Sequence, residues 1–298
     1  MGSSFELGVL PRDLLVEAEP GRRLGVRLAG AAEGPLVVYM HGSPSSRLDV
    51  DYLHQRSERR GIRLAGVDRP GYGLSTPMPF THASVARDLG LVADALGAPR
   101  FAVFGQSSGV SYALATAAGL PDRVTAVATA GGGMPFQPGT PVWGQLSEPE
   151  QRAVLLAGMD DAEAERLLAE ADLPTVAQLE LSDAEIEAAW MEMLAPADQR
   201  VFAAGMGRLM GPTMRECLRQ GQVGWARDNL VRIPRWGFDL GAISVPATIW
   251  SGIQDGGNVE AARWLAAQVP GAVLREMSDQ GHFLAFERWD DVLDSLGV

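Results

Sequence analysis

The apolar run Phe101-Ala-Val-Phe104 stops at Gly105-Gln106-Ser107-Ser108-Gly109, and the chain passes directly into a helix-like run over 110–118. A turn that joins a strand to a helix this abruptly forces the serine at its apex into a strained backbone conformation. Side chains two residues before and two after that apex collide unless they are nearly absent. Gly105 and Gly109 meet the condition for Ser107. Gln106 and Val110 fail it for Ser108, and Ser111 already lies inside the helix. Ser107 is therefore the candidate nucleophile, and the fold must offer a strand end on which to mount it.

A serine hydroxyl is a poor nucleophile at its free pKa and needs a base that a third group orients. Downstream, 245–250 reads as a buried strand, and Ser251-Gly-Ile-Gln-Asp255 as its exit loop. The run 272–277 reads as the next strand, and its exit carries Gln280-Gly-His-Phe283. Asp255 and His282 thus follow the C-terminal ends of strands, the edge where open parallel sheets build their sites. Of the four histidines, His54 and His82 precede the nucleophile in loop or helix-start positions, and His41 belongs to another motif. That motif is His41-Gly42-Ser43-Pro44, directly after the short strand 35–40. Acyl transfer needs donors aimed at the developing oxyanion. The backbone N–H of Ser108 is one, and because Pro44 has no N–H, Ser43 supplies the other. The His41 side chain is read as holding loop carbonyls.

Strand candidates at 14–18, 22–29, 35–40, 62–67, 100–104, 123–130, 245–250 and 272–277 alternate with helices at 84–97, 107–119, 258–268 and 286–296. That alternation predicts an α/β fold: a doubly wound, mostly parallel eight-stranded sheet flanked by helices. Between 134 and 240 the strand signal vanishes. Ser147-Glu-Pro-Glu150 and Ser182-Asp-Ala-Glu185 have the capping-box form, and Pro174 and Pro196 punctuate what lies between. The expected organisation is a core of 1–133 and 241–298 carrying an inserted helical lid, or cap, of four to five helices over 134–240.

These motifs resemble those of the α/β-hydrolase fold superfamily, in its lid-containing serine hydrolase and esterase branch. His41-Gly-Ser-Pro, Asp68-Arg-Pro-Gly-Tyr-Gly-Leu-Ser75, Gly105-Gln-Ser-Ser-Gly109, Ser251-Gly-Ile-Gln-Asp255 and Gly281-His282 match its landmarks in order, from about residue 20 onward. The resemblance implies a triad of Ser107, Asp255 and His282, the chain order of that fold. It gives the 68–75 segment a structural role bordering the site. Haloalkane dehalogenases and epoxide hydrolases of the superfamily carry an aspartate where Ser107 stands. Some relatives take their acid from the loop after the strand following the elbow, but Ala130-Gly-Gly-Gly-Met134 has none. The Gly-Gly-Pro-Gly run of proline-iminopeptidase relatives is missing as well. Gly256-Gly-Asn-Val-Glu260 replaces the usual Val-Pro after the acid, which leaves Asp279 as a rival to Asp255.

Composition excludes several chemistries. All 25 basic residues are arginine, so Schiff-base, pyridoxal-phosphate and phosphate-loop chemistry have no lysine. One cysteine, Cys217, allows no internal disulfide and no thiolate zinc set. It is expected to be an inert buried thiol. No metal and no cofactor are expected. The net charge of −12 disfavours nucleic acid, and no apolar run reaches the length of a membrane span. The first residues lack a signal-peptide pattern, so the expected location is cytoplasmic; the oligomeric state is open between monomer and homodimer. The 134–240 segment holds 17 acids against 9 arginines, −8 in all, read as a mostly solvated face. Seven of the 11 methionines and four of the seven tryptophans also fall there, which suits a pliable apolar pocket as well as the segment's own core. The expected substrate is a small, neutral, hydrophobic carboxylic ester or lactone, with longer acyl groups favoured over acetyl. Carbon–carbon or amide hydrolysis, a lyase or acyl-transfer step, and a non-catalytic ligand-binding role are the alternatives.

Overall fold

The computed structural model of the chain describes residues 10–132, 148–156, 159, 161–171, 173–233 and 236–298. Its centre is one eight-stranded sheet in the order β1-β2-β4-β3-β5-β6-β7-β8. The strands are β1 (Arg12–Glu19), β2 (Arg22–Gly30), β3 (Leu36–Met40), β4 (Arg63–Val67), β5 (Phe101–Gln106), β6 (Val124–Ala130), β7 (Ala247–Gly252) and β8 (Val273–Met277). Only β2 runs against its neighbours β1 and β4; all other pairs are parallel. Every residue of β3, β5 and β7 is buried, which is why these strands read as unbroken apolar runs rather than as alternations.

Side-chain alternation splits the core into two layers. Leu36, Val38 and Met40 of β3 pack on the face shared with α2 (His82–Ala95), α3 (Gly109–Gly119) and α11 (Asn258–Gln268). Val37 and Tyr39 pack on the other, with α1 (Val50–Arg59) and α13 (Trp289–Ser295). The sheet is thus covered on both sides, as the alternation of elements predicts.

Two differences from the sequence reading have local causes. Helix α1 was not expected; it buries only Val50, Leu53 and Ser57, too few apolar positions to stand out as a periodic stripe. The expected helix 286–296 is two, α12 (Leu284–Glu287) and α13, broken at Arg288.

Seven α-helices are described between β6 and β7: α4 (Glu148–Leu156), α5 (Asp161–Ala171), α6 (Leu173–Gln178), α7 (Asp183–Met193), α8 (Pro196–Val201), α9 (Gly207–Cys217) and α10 (Val223–Arg232). The sequence suggested four to five. Pro196 restarts the chain at the first position of α8, and Gly205, at φ 127°, produces a π-helical turn over Phe202–Met206. The capping box at Ser182 and Glu185 forms as expected; Ser147 lies outside the described residues, as do Met134 and Trp143. Among the described residues no helix is long and apolar enough to cross a membrane.

Candidate active site

Ser107 has φ 54°, the sole positive value among the described non-glycine residues. Its N–H donates to the Ala130 carbonyl (2.8 Å), which ties the turn to the end of β6. The glycine requirement read from the sequence has a concrete origin. A Cβ on Gly105 would sit 2.6 Å from the Gly109 carbonyl oxygen, and one on Gly109 only 2.2 Å from that of Met40. Strand β5 therefore runs through Gln106, and α3 starts at Gly109 rather than at 107, because the left-handed conformation of Ser107 cannot belong to a helix. The N-terminus of α3, with its partial positive charge, begins right behind Ser107.

His282 follows β8. Its Nδ1 lies 3.0 and 3.1 Å from the two carboxylate oxygens of Asp255, in the exit turn of β7. The His282 side chain keeps 24% of its surface open, and Asp255 behind it 9%. Burial alone would lower the His282 pKa, but the charge and hydrogen bond of Asp255 outweigh it and raise the value above 6.5. Asn258 Nδ2 donates to Asp255 Oδ1 (3.1 Å) from the first residue of α11. The Gly-Gly-Asn stretch that departs from the superfamily pattern thus supplies its own brace for the acid. Asp279 accepts from Arg200 through its backbone carbonyl; it is Asp255 that meets the ring.

The backbone of His282 is held at both ends. Gln106 Nε2 donates to its carbonyl (2.9 Å). Asp198, in the first turn of α8, accepts from the N–H groups of His282 (2.9 Å) and Phe283 (2.8 Å). Asp198 is 3% exposed. The sequence reading, which puts the acids of this segment on a solvated face, misses it; its one local signal is its place in the first turn after Pro196.

The loop after β3 leans on the serine: a Cβ on Gly42 would lie 3.2 Å from that of Ser107. Ser43, the expected oxyanion donor, lines the same cavity as Ser107 and His282. Ser108 stands at the N-cap of α3 and its hydroxyl accepts from Arg69 Nη2 (3.2 Å). His41 is buried, and its Nδ1–H donates to the Gly42 carbonyl (2.7 Å) while Nε2 accepts from the Arg69 N–H (3.4 Å). Burial and the Arg69 charge push its pKa well below 6.5, so the ring is neutral and serves as a loop brace. Arg69 donates to the carbonyls of His41 (2.6 Å) and Gly42 (3.1 Å) and pairs with Asp228 of α10 (3.0 Å). Both ions are fully buried. Burial opposes the charge on Arg69, but Asp228 outweighs that cost and its pKa is raised.

The cavity has a volume of about 60 Å³. Trp190 of α7, Met206 of the π-helical turn and Met210 of α9 form its wall together with Phe283 and Phe286. Part of the methionine and tryptophan content of the insertion therefore lines the same cavity as Ser107. Met214, Trp225 and Trp236 instead fill the hydrophobic cores. Asp49, a carboxylate that no sequence pattern singles out, also lines the cavity and accepts from Tyr39 and Thr213. Burial lifts its pKa to about 6 against the lowering effect of those hydroxyls and of Ser45. Cys217 is buried and its thiol is pushed up by desolvation, as an inert core residue should be. A larger groove of about 430 Å³ opens beside Leu36 and Arg63, at the strand ends away from Ser107, and holds none of these groups.

The order of the sheet, the strained serine after β5 and the histidine after β8 define an α/β hydrolase. The model of the alpha/beta hydrolase family matches residues 37–295, and the chain belongs to that family. An uncharacterized hydrolase of Saccharomyces cerevisiae is 28% identical over 147 residues, 47% of this chain. The chain spans about half the length of that relative, 49%. Among solved structures, an esterase from Exiguobacterium antarcticum is similar at TM-score 0.64 and 19% identity, over 95% of this chain and 97% of the other. An enol-lactonase from Burkholderia xenovorans LB400 gives 0.61 and 24%, over 95% and 99%. A bromoperoxidase from Bacillus anthracis gives 0.67 and 18%, over 96% and 100%. These likenesses show the fold.

Proposed function

We propose that the chain is a cofactor-free serine hydrolase that cleaves carboxylic esters or lactones of small, neutral, hydrophobic molecules. His282 takes the Ser107 proton as the hydroxyl oxygen attacks the acyl carbon, and the Ser43 and Ser108 N–H groups hold the oxyanion. His282 then protonates the leaving alcohol, and water releases the acyl group by the reverse sequence. Asp255 keeps the imidazole in the tautomer with Nδ1–H and balances its positive charge. The helices over 134–240 act as a cap on a core of 1–133 and 241–298; the cavity wall formed by Trp190, Met206 and Met210 supports that division. The −8 charge of this segment favours neutral over anionic substrates.

One observation carries the reading: a serine at φ 54° shares a cavity with a histidine whose Nδ1 sits 3.0 Å from a carboxylate. The test is labelling with a fluorophosphonate in the wild type and in Ser107→Ala, followed by a p-nitrophenyl ester panel that includes a succinyl half-ester. Labelling of the wild type alone, with the half-ester the slowest substrate, is expected. Labelling that persists in Ser107→Ala, or none in the wild type, overturns the assignment.

A further inference from the structure

Arg69 and Asp228 form a fully buried ion pair in which the cation comes from the loop after β4 and the anion from the helices inserted between β6 and β7. We propose that Asp228 is a positioning residue for the oxyanion donor at Ser43, acting through Arg69 and the Gly42 carbonyl. The proposal rests on the ester-hydrolase reading of the same site.

The coupling runs along one peptide plane. Among the described residues, cis peptide bonds precede only Pro11 and Pro44, so the Gly42–Ser43 link is trans. In a planar trans peptide the C=O and the following N–H point in opposite directions, and fixing one fixes the other. Two donors hold the Gly42 oxygen: Arg69 Nη2 at 3.1 Å and His41 Nδ1 at 2.7 Å. Arg69 Nη1 holds the preceding carbonyl, that of His41, at 2.6 Å. The same guanidinium reaches the hydroxyl of Ser108, the residue that carries the second expected oxyanion donor, at 3.2 Å. One side chain therefore spans both halves of the oxyanion site from behind. A cation on a peptide carbonyl also polarises the peptide and makes its N–H a stronger donor.

A guanidinium with no exposed surface keeps such a pose only if its charge is balanced. Asp228 does this, and its carboxylate is itself fixed by three further groups. The Tyr72 hydroxyl donates at 2.9 Å, the Tyr112 hydroxyl donates at 2.6 Å, and Arg232 lies at 3.6 Å. The Arg69 guanidinium also packs over the Tyr72 and Tyr112 rings, 4.7 and 5.2 Å from their centroids. Neutralising Asp228 leaves the cation unbalanced and free to turn from the carbonyls. The consequence is a misaimed Ser43 N–H, with the triad itself untouched.

The experiment compares p-nitrophenyl acetate with its thionoester, in which C=S replaces C=O. Sulfur is larger and a poorer hydrogen-bond acceptor, so the oxo/thiono rate ratio reports how well the oxyanion donors are aimed. Labelling of wild-type Ser107 by a fluorophosphonate comes first; without it the hydrolase reading and this inference fall together. In Asp228→Asn, kcat on the oxoester is expected to fall by about tenfold or more with KM little changed, and the ratio to fall in parallel. Arg69→Met combined with Asp228→Leu removes both charges of the fully buried pair, so it is expected to keep the fold where the single variant is lost. The same fall in ratio is expected there. A wild-type ratio in either folded variant that still labels overturns the role of Asp228 and leaves the hydrolase reading standing.

Discussion

Gly109→Ala tests how tightly Ser107, the proposed nucleophile, and the loop after β3 are locked together. The new methyl would lie 2.2 Å from the Met40 carbonyl oxygen, 2.7 Å from its carbon and 2.8 Å from the His41 carbonyl oxygen. Real Cβ atoms stay beyond 3.0 Å, so the end of β3 and the first turn of α3 must separate by about 0.8 Å. All three obstacles are backbone, and none can rotate away. Two effects on stability compete. Alanine in place of a helical glycine gains ~0.5–1 kcal/mol, less at a first-turn position, whereas overpacking a closed site costs ~1–3 kcal/mol. The cost wins, and a net loss of about 1 kcal/mol is expected from urea unfolding. Activity suffers far more. The separation lies between Ser107 with Ser108 on one side and Ser43 on the other, and a misplacement near 1 Å costs roughly 100-fold in kcat. Gly119→Ala, at the far end of α3, meets only Ala86 Cβ at 3.8 Å and serves as the control. Ester hydrolysis by Gly109→Ala within about threefold of wild type, in a folded protein, would refute the argument that this contact sets the catalytic geometry.

Two further perturbations read charge rather than shape. Asp255→Asn removes the charge that raises the His282 pKa, leaving burial to lower it. The pH midpoint of kcat/KM should move down from above 6.5 while kcat falls by roughly 10⁴-fold; a midpoint that stays or rises contradicts the pairing. Asp49 has a pKa of about 6 in the fold against 3.8 for the ordinary carboxyl. The native state thus binds its proton more tightly, and stability falls as pH rises from about 4 to 6, by ~3 kcal/mol in total. Asp49→Asn abolishes that slope, so relative to wild type it should gain ~2–3 kcal/mol more at pH 7.5 than at pH 4.5. Urea unfolding at the two pH values checks this, and a gain independent of pH refutes it.

How much of this molecule could be read in advance follows from where each residue finds its partners. Strands β3, β5 and β7 are buried on both faces, so their sequences are continuous apolar runs that no surface helix would carry. The elbow was legible because Gly105 and Gly109 flank Ser107 within five residues, and a side chain on Gly105 would meet Gly109 itself; the obstacle at Gly109, the Met40 carbonyl of β3, could not be read locally. Asp255 and His282 were legible because parallel strands deliver their exit loops to one edge. Helix α1 was not, since it fully buries only two apolar side chains, Val50 and Leu53.

The acids of the insertion were misread for a different reason. Asp198 and Asp228 sit among many solvated acids, and nothing in their neighbours marks them as buried. Each takes its meaning from a partner far along the chain: His282 and Phe283 for Asp198, Arg69 for Asp228. A buried carboxylate is tolerable only where amides, hydroxyls or a cation satisfy it, and such partners exist only after the insertion has docked on the sheet. Asp198 grips the backbone behind His282, and Asp228 grips the loop after β3 through Arg69. Lifting both α8 and α10 would strand a carboxylate at each point and a guanidinium at one.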